Sequence, residues 1–338
     1  LICKSVLFTI GLLLAFMPEA KPSVEQQMER LQEAQDYLTV KPSHSLYLLE
    51  TTPGIDTLPV GLKIRWHVLR VRASVPTNQL QLLEQSLEVL FTYNTHPYFI
   101  NKLTSILSAL GIWLRREGYL SEADISLQCA LKYAENESQR LTLTNSRALV
   151  ARHMGAHHSA IALYQQAALL AQKQGNTSMA ATINNNLGAI ALDLANYDEA
   201  DRYFRAALQG YQSVDKRSGH ITAGTNLLFL FVLKGESINY ARLYSPIKAL
   251  TDSFPNQAKK AFLHWIHQTY LTQQGYDLSA DERNVLQVQF KQLESEQVRT
   301  LVATHLAPQV KVTVPAVREK QSQPFQMTWF EKVRLCDW

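Results

Sequence analysis

The chain is short of the residues that punctuate or staple a fold. Its 338 residues include 3 cysteines, 13 glycines and 12 prolines. So few cysteines exclude a small disulfide-built scaffold, and so little glycine and proline excludes a collagen-like or low-complexity chain. Charge of one sign is also lacking: 33 basic and 29 acidic residues leave a net +4 dispersed along the sequence, which points away from nucleic acid. The apolar run at residues 5–17 falls short of the roughly 20 residues that cross a bilayer. Enzyme signatures are missing too, with no glycine-rich phosphate loop, no H-E-x-x-H and no G-x-S-x-G. What is present is 46% hydrophobic residues, enough to bury a substantial core.

The expectation is therefore a non-enzymatic protein with no cofactor, no metal and no small-molecule substrate. The histidines of HMGAHH (His153, His157, His158) span a predicted interhelix turn, and those of HWIH (His264, His267) lack an evident carboxylate partner. Both groups read as ordinary surface or half-buried histidines. At the N-terminus, Lys4 precedes the apolar run at 5–17 and a Pro-Glu-Ala follows it, which suits a secretory signal with cleavage near Ala20. The protein is expected in the periplasm or secreted. The alternative is membrane attachment through residues 5–17, with the chain facing outward as a sensory or regulatory ectodomain. Cys3 precedes that run, where a lipid-bearing cysteine would follow it. Cys129 lies amid apolar helix residues and is expected as a buried thiol, leaving Cys336 in the tail.

Small residues that could turn one helix into the next recur at Gly118, Gly155, Ala195 and Gly235, spaced by 37, 40 and 40 residues. Seven residues before each stand Gly111, Ala148, Gly188 and Leu228, and nine after each stand Leu127, Tyr164, Phe204 and Tyr244. Small side chains recurring on one helix open a space that large ones on the next can fill. One unit is thus an antiparallel helix pair, and a periodic array of such pairs cannot bury its apolar faces except by stacking.

The pattern Leu187-Gly188, Ala191, Ala195, Tyr197, Ala200, Phe204, Ala207-Leu208 resembles the tetratricopeptide repeat, as does Leu110 to Leu131. The resemblance covers about residues 104 to 250, and its spacing near 40, against a usual length of about 34, is similar to longer-helix variants of the family. It implies an all-α fold, a right-handed α-solenoid of stacked antiparallel helix pairs, which binds a protein or peptide ligand as a scaffold. On this reading 1–20 is signal or anchor, 21–103 holds degenerate helix pairs and 104–253 the repeats. Residues 254–306 form capping helices and 307–338 an irregular tail in which VKVTVPAV alternates like a short strand. In the flanks, helices are expected over 24–39, after Pro42 with a face at Leu46, Leu49 and Tyr47, up to a break at Pro76 with Asn78 as a cap, and over Ala280–Leu306.

In such a repeat the first helix of each pair lines the concave side, and side chains three or four apart share a face. Thr182, Asn186, Ala189 and Asp193 form that row with Asn185 beside it, while Ile183, Leu187, Ile190 and Leu194 point to packing partners. Asn226 stands one unit after Asn186, and Ser146 and Ala109 take that place in the earlier units. An amide offers a donor and an acceptor, so the resemblance implies that Asn186 and Asn226 meet an extended peptide backbone. Asn145, Arg115, Arg116, Arg152 and His153 are expected on the same side, where cations favour a ligand with carboxylates. The expected groove residues are Asn186, Asn226, Asn185, Asn145, Arg152, Arg115 and Asp193.

Overall fold

Ser23 starts the first helix by accepting from the Gln26 backbone while the Gln26 side chain returns to the Ser23 N–H, a reciprocal cap that satisfies two otherwise orphaned donors. The computed structural model describes residues 23–317 and 325–338. The expected signal or anchor, and the apolar run at 5–17, lie outside the described residues. Helices make up every regular element among the described residues, and none is long and apolar enough to cross a membrane.

The chain divides into two compact units at Ile100/Asn101. In the first, α1 (Val24–Tyr37), α2 (Pro42–Glu50), α3 (Val60–Thr77) and α4 (Leu80–Thr92) bury Leu31, Leu49, Leu69 and Ala73. The buried Arg70 guanidinium is held bidentately by Glu50 at 2.6 and 3.1 Å and also donates to Ser86, so its charge is both paired and hydrogen-bonded as burial requires. Two expectations change here. Tyr47 is 60% exposed while Leu48 is buried, and α3 runs through Pro76 to end at Asn78, whose φ of +57° is a left-handed C-cap. A proline in the last turn costs one hydrogen bond without breaking the turns before it. A short α5 (Pro97–Asn101) follows.

The second unit stacks five helix pairs: α6 (Leu103–Glu117) with α7 (Leu120–Lys132), α8 (Glu137–His153) with α9 (His157–Lys173), α10 (Thr177–Asp193) with α11 (Tyr197–Ser213), α12 (Arg217–Lys234) with α13 (Ser237–Asp252), and α14 (Gln257–Gln273) with α15 (Ala280–Phe290). The turns inside the pairs carry positive φ at Gly118, Gly155, Ala195, Gly235 and Gly275. The expected small-to-large packing is present: a Cβ added to Gly188 would lie 2.7 Å from the Phe204 ring, and one on Gly111 would lie 2.6 Å from Leu127. Asparagine caps recur at the outer turns, with Asn136, Asn176 and Asn256 accepting from the third residue of α8, α10 and α14. Successive first helices touch one another more closely than successive second helices do. The first helices thus form one continuous face of the stack, its inner face.

The C-terminal part departs from expectation. The single helix foreseen over 280–306 is interrupted, and Ser295 caps a fresh α16 (Glu296–Leu301) that runs into a π-helical turn, Val302–Leu306. VKVTVPAV forms no strand: Val310 and Val312 are buried in the core with Trp265 and Phe290 while Lys311 and Thr313 are exposed. The alternation there reflects one side facing a helical core, with no ladder. Cys129 is not a free thiol but is joined to Cys336 across 207 residues of sequence. The tail accordingly folds back, and α17 (Phe330–Leu335) packs on α7, where Tyr133 Oη accepts from the Trp338 N–H at 2.9 Å and Lys132 Nζ donates to the Cys336 carbonyl at 2.7 Å. Alternating hydrophobicity and cysteine spacing carry no sign of either outcome, because each depends on which distant surface the tail meets.

Candidate functional site

The inner face has two parts. Over α12 and α14 it is covered by the chain itself: Phe229, which takes the place of Ala189 one unit earlier, meets His305 with ring centroids 6.0 Å apart and shares a core with Val302, Leu306 and Ala307. Gln273 donates to Gln309 at 2.8 Å. The stretch over α6, α8 and α10 carries the polar side chains expected of a groove. At its border Gln297 of α16 meets His153 Nδ1 of α8 at 3.3 Å.

The expected groove residues are distributed unequally. Asn226 Nδ2 donates to Asn185 Oδ1 at 3.0 Å, tying α12 to α10. The equivalent pair one unit earlier is Asn145 and Asn186, and there no bond forms: the Asn145 Oδ1 is buried without a hydrogen-bond partner. Asn186 lies instead beside the hydroxyl of Tyr164 on α9, which is itself buried and makes no hydrogen bond of good geometry. Arg152 is clamped by Asp193 at 2.8 and 3.2 Å, so these two members of the site neutralise each other. Arg115 is half-buried at the end of α6 and makes no ion pair or side-chain hydrogen bond among the described residues. All three consecutive asparagines, Asn184, Asn185 and Asn186, are half-buried in the middle of α10 and cap nothing, since Asn176 caps that helix. Leu194, expected to pack, is 53% exposed, because α10 ends at Asp193 and the chain turns away there.

Electrostatics set this stretch apart. Burial, then Arg116, pull the Arg115 guanidinium down to about 10. Burial together with Arg115 and Arg152 pulls His153 down to about 3, so its ring is neutral at ordinary pH. Burial raises the Tyr164 hydroxyl well above its usual value, against the opposing pull of Arg152, Arg115 and the Asn186 amide. Glu294 acts on Arg116 and on Lys259 of α14. Sequence reasoning missed Tyr164, although a signal was there: at its place in the neighbouring units stand Leu127 and Phe204, which have no hydroxyl to satisfy.

The histidines outside this stretch have structural surroundings. His264 bonds Gln289 and Gln268, and His267 stacks on Tyr244 at 4.0 Å and meets the Tyr240 hydroxyl. Among the described residues no group of His, Cys, Asp and Glu is arranged to hold a metal ion.

The tetratricopeptide repeat family model matches residues 139–222, from α8 into the second turn of α12. No curated protein matches the sequence significantly. Among solved structures the chain is similar to BtubC (BKLC) from P. vanneervenii, with 16% identity over 75% of this chain and 98% of that one and a TM-score of 0.49. It is similar as well to a Rap protein complexed with Competence and Sporulation Factor, with 15% identity over 83% and 89% and a TM-score of 0.46. A tetratricopeptide repeat protein from Parabacteroides merdae ATCC 43184 matches with 18% identity over 73% and 97% and a TM-score of 0.35. Scores and identities this low say nothing about ligand or activity. The tetratricopeptide repeat is thus matched over α8–α11, and the same pairing of helices continues on either side of it.

Proposed function

We propose that the protein binds a partner protein or peptide on the inner face of α6, α8 and α10, acts by recognition without catalysis, and works outside the cytoplasm. The observation that carries this reading is the difference along that face. Over α12 and α14 the chain covers its own inner surface and closes its asparagine pair, whereas over α8 and α10 the equivalent pair, Asn145 and Asn186, stays open and the Asn145 acceptor is buried and unmatched. An unmet buried polar group costs about 1–3 kcal/mol, a cost that a bound ligand would remove. A face already set by helix packing spares the ligand much of the ordering penalty of association.

Placement outside the cytoplasm is supported by the Cys129–Cys336 bond, since such bonds persist in oxidising compartments, and by the signal-like run at 5–17. Left uncleaved, that run would tether the same binding face outside the membrane, a form that alkaline extraction of membranes would reveal by retaining the protein.

The test is photo-crosslinking of the full chain in an envelope fraction, with the reactive group placed at Asn186 or, as a control, at the outward Arg202 of α11. A partner that crosslinks from position 186 and not from 202, and whose affinity falls in an Asn145→Leu, Asn186→Leu variant of unchanged helicity, supports the reading. A partner reached only from 202 overturns it.

A further inference from the structure

The second helices differ between units as much as the first helices do. On α9 the side chains of His158, Ala162, Gln165, Leu169 and Gln172 are all exposed, and their spacing of four, three, four and three residues aligns them in one narrow stripe along the helix. The stripe holds no Asp, Glu, Lys or Arg, and Lys173 beside it is paired with Glu137 at 2.6 Å. Leu169 is 68% exposed. One unit later α11 presents Asp198, Arg202, Arg205, Gln209 and Gln212 at the same places, all exposed as well. That is an ordinary solvated face, in which Arg202 is paired with Glu199 and Arg205 with Asp201.

We propose that the α9 stripe is the interface of a homodimer, in which α9 of a second copy packs antiparallel across it about a two-fold axis at Gln165. Such a contact is self-complementary only if residues equally far on either side of the axis suit one another, and the stripe meets that condition. Leu169 comes against the partner's Ala162, a large side chain over the space left by a small one. Gln172 comes against the partner's His158, amide to imidazole, and at the axis Gln165 meets the partner's Gln165, where each amide can donate to the other's carbonyl oxygen. No like charges are brought together. The same operation on α11 would set Arg205 against a second Arg205, a repulsion that α9 avoids. A pattern symmetric about one residue selects a second copy over an unrelated partner, and the absence of charge is that of an interface core. The contact is one helix pair about 25 Å long, so the dimer is weak. Because α9 is a second helix, pairing through it leaves the first helices of both copies free and makes the protein bivalent toward a partner.

Sedimentation equilibrium of the full chain, in a concentration series up to about 1 mM, should show a reversible monomer–dimer equilibrium. Leu169→Lys and Ala162→Glu should each weaken it at least about tenfold at unchanged helicity, since both positions are exposed. Mixed in equal amounts, the two variants should regain a heterodimer, because the introduced ammonium then faces the introduced carboxylate while the other half of the contact stays as in the parent. A short bismaleimide should join two Gln165→Cys chains and should not join two Gln209→Cys chains, with Cys3, common to both, setting the background. A chain that stays monomeric throughout the series overturns the proposal, and so does a dimer as tight in Leu169→Lys as in the parent. A mixture that fails to recover, or Gln209→Cys joined as readily as Gln165→Cys, overturns the antiparallel register about Gln165 and the proposal with it.

Discussion

Two neighbouring stretches of one inner face, built from the same repeat, have been completed in different ways. Over α12 and α14 the face is apolar at Phe229 and covered by Val302, Leu306 and Ala307, and its Asn185–Asn226 pair is closed. Over α8 and α10 the corresponding pair is open, Ala189 stands where Phe229 stands later, and a tyrosine replaces the ring or alkyl group of its neighbours. The lesson is that a repeat position fixes where a side chain points but not whether its polar atoms are met. That second property depends on which residue the adjoining unit offers and on what the rest of the chain lays across the face.

The largest effect that can be imposed on this contrast is to cut the Cys129–Cys336 bond. The tail it holds lies on α7, not on the covered inner stretch. Cross-linking residues this far apart restricts the unfolded chain, and the loss on removing such a bond is expected at about 2–5 kcal/mol. Denaturant unfolding of Cys129→Ser, or of the parent with dithiothreitol, measures it. Hydrogen exchange should then show α17 deprotected while residues 302–310 keep their protection. If both lose protection together, the cover and the tail form one element, and the two stretches are not independently built.

A smaller effect acts where the stretches meet, at the contact between Gln297 and His153 Nδ1. A neutral ring accepts from the Gln297 amide, and an imidazolium cannot. His153 is depressed from 6.5 to about 3 in the folded chain, so the unfolded state binds the proton first. Stability contributed by this group is complete above about pH 6.5 and declines as pH falls toward 3, by at most about 1.4 kcal/mol per unit. His67 in the first unit, lowered to about 4 chiefly by burial, adds a decline of the same sign. Unfolding measured from pH 7 to pH 4 should therefore fall less steeply in His153→Gln than in the parent, and an unchanged slope would show that the ring is better solvated than its surroundings imply.

How much of this was legible in the sequence follows from the range of the interactions involved. Repeat spacing, the turns at Gly118, Gly155, Ala195 and Gly235, and the meeting of Gly188 with Phe204 are local or one unit apart, and periodicity reports them directly. That Asn186 and Asp193 share one face of α10 was also readable, since helical spacing alone places them so. What stayed hidden were partnerships across units: that Asp193 would clamp Arg152, that Asn226 would bond Asn185, and that Cys336 would return to Cys129. Each depends on the rotation between stacked pairs or on the path of the tail. The break at 291–295 was similarly invisible, because Val298, Leu301 and Val302 continue a helical pattern across a change of direction.

The finest test of the contrast compares the two asparagine pairs at matched positions. Asn185→Ala removes the acceptor of the Asn226 amide and leaves that half-buried donor unmet, which should cost about 1 kcal/mol. Asn145→Ala removes an acceptor that already has no partner, and the same change should be neutral or slightly stabilising in the free protein. Because Asn145 and Asn185 share one repeat position, as do Asn186 and Asn226, helix propensity and burial largely cancel between the variants. The sign of the difference in denaturant midpoint then reports only whether each amide was matched. Equal losses in both variants would mean that Asn145 finds a partner in solution, and the inner face would be closed along its whole length.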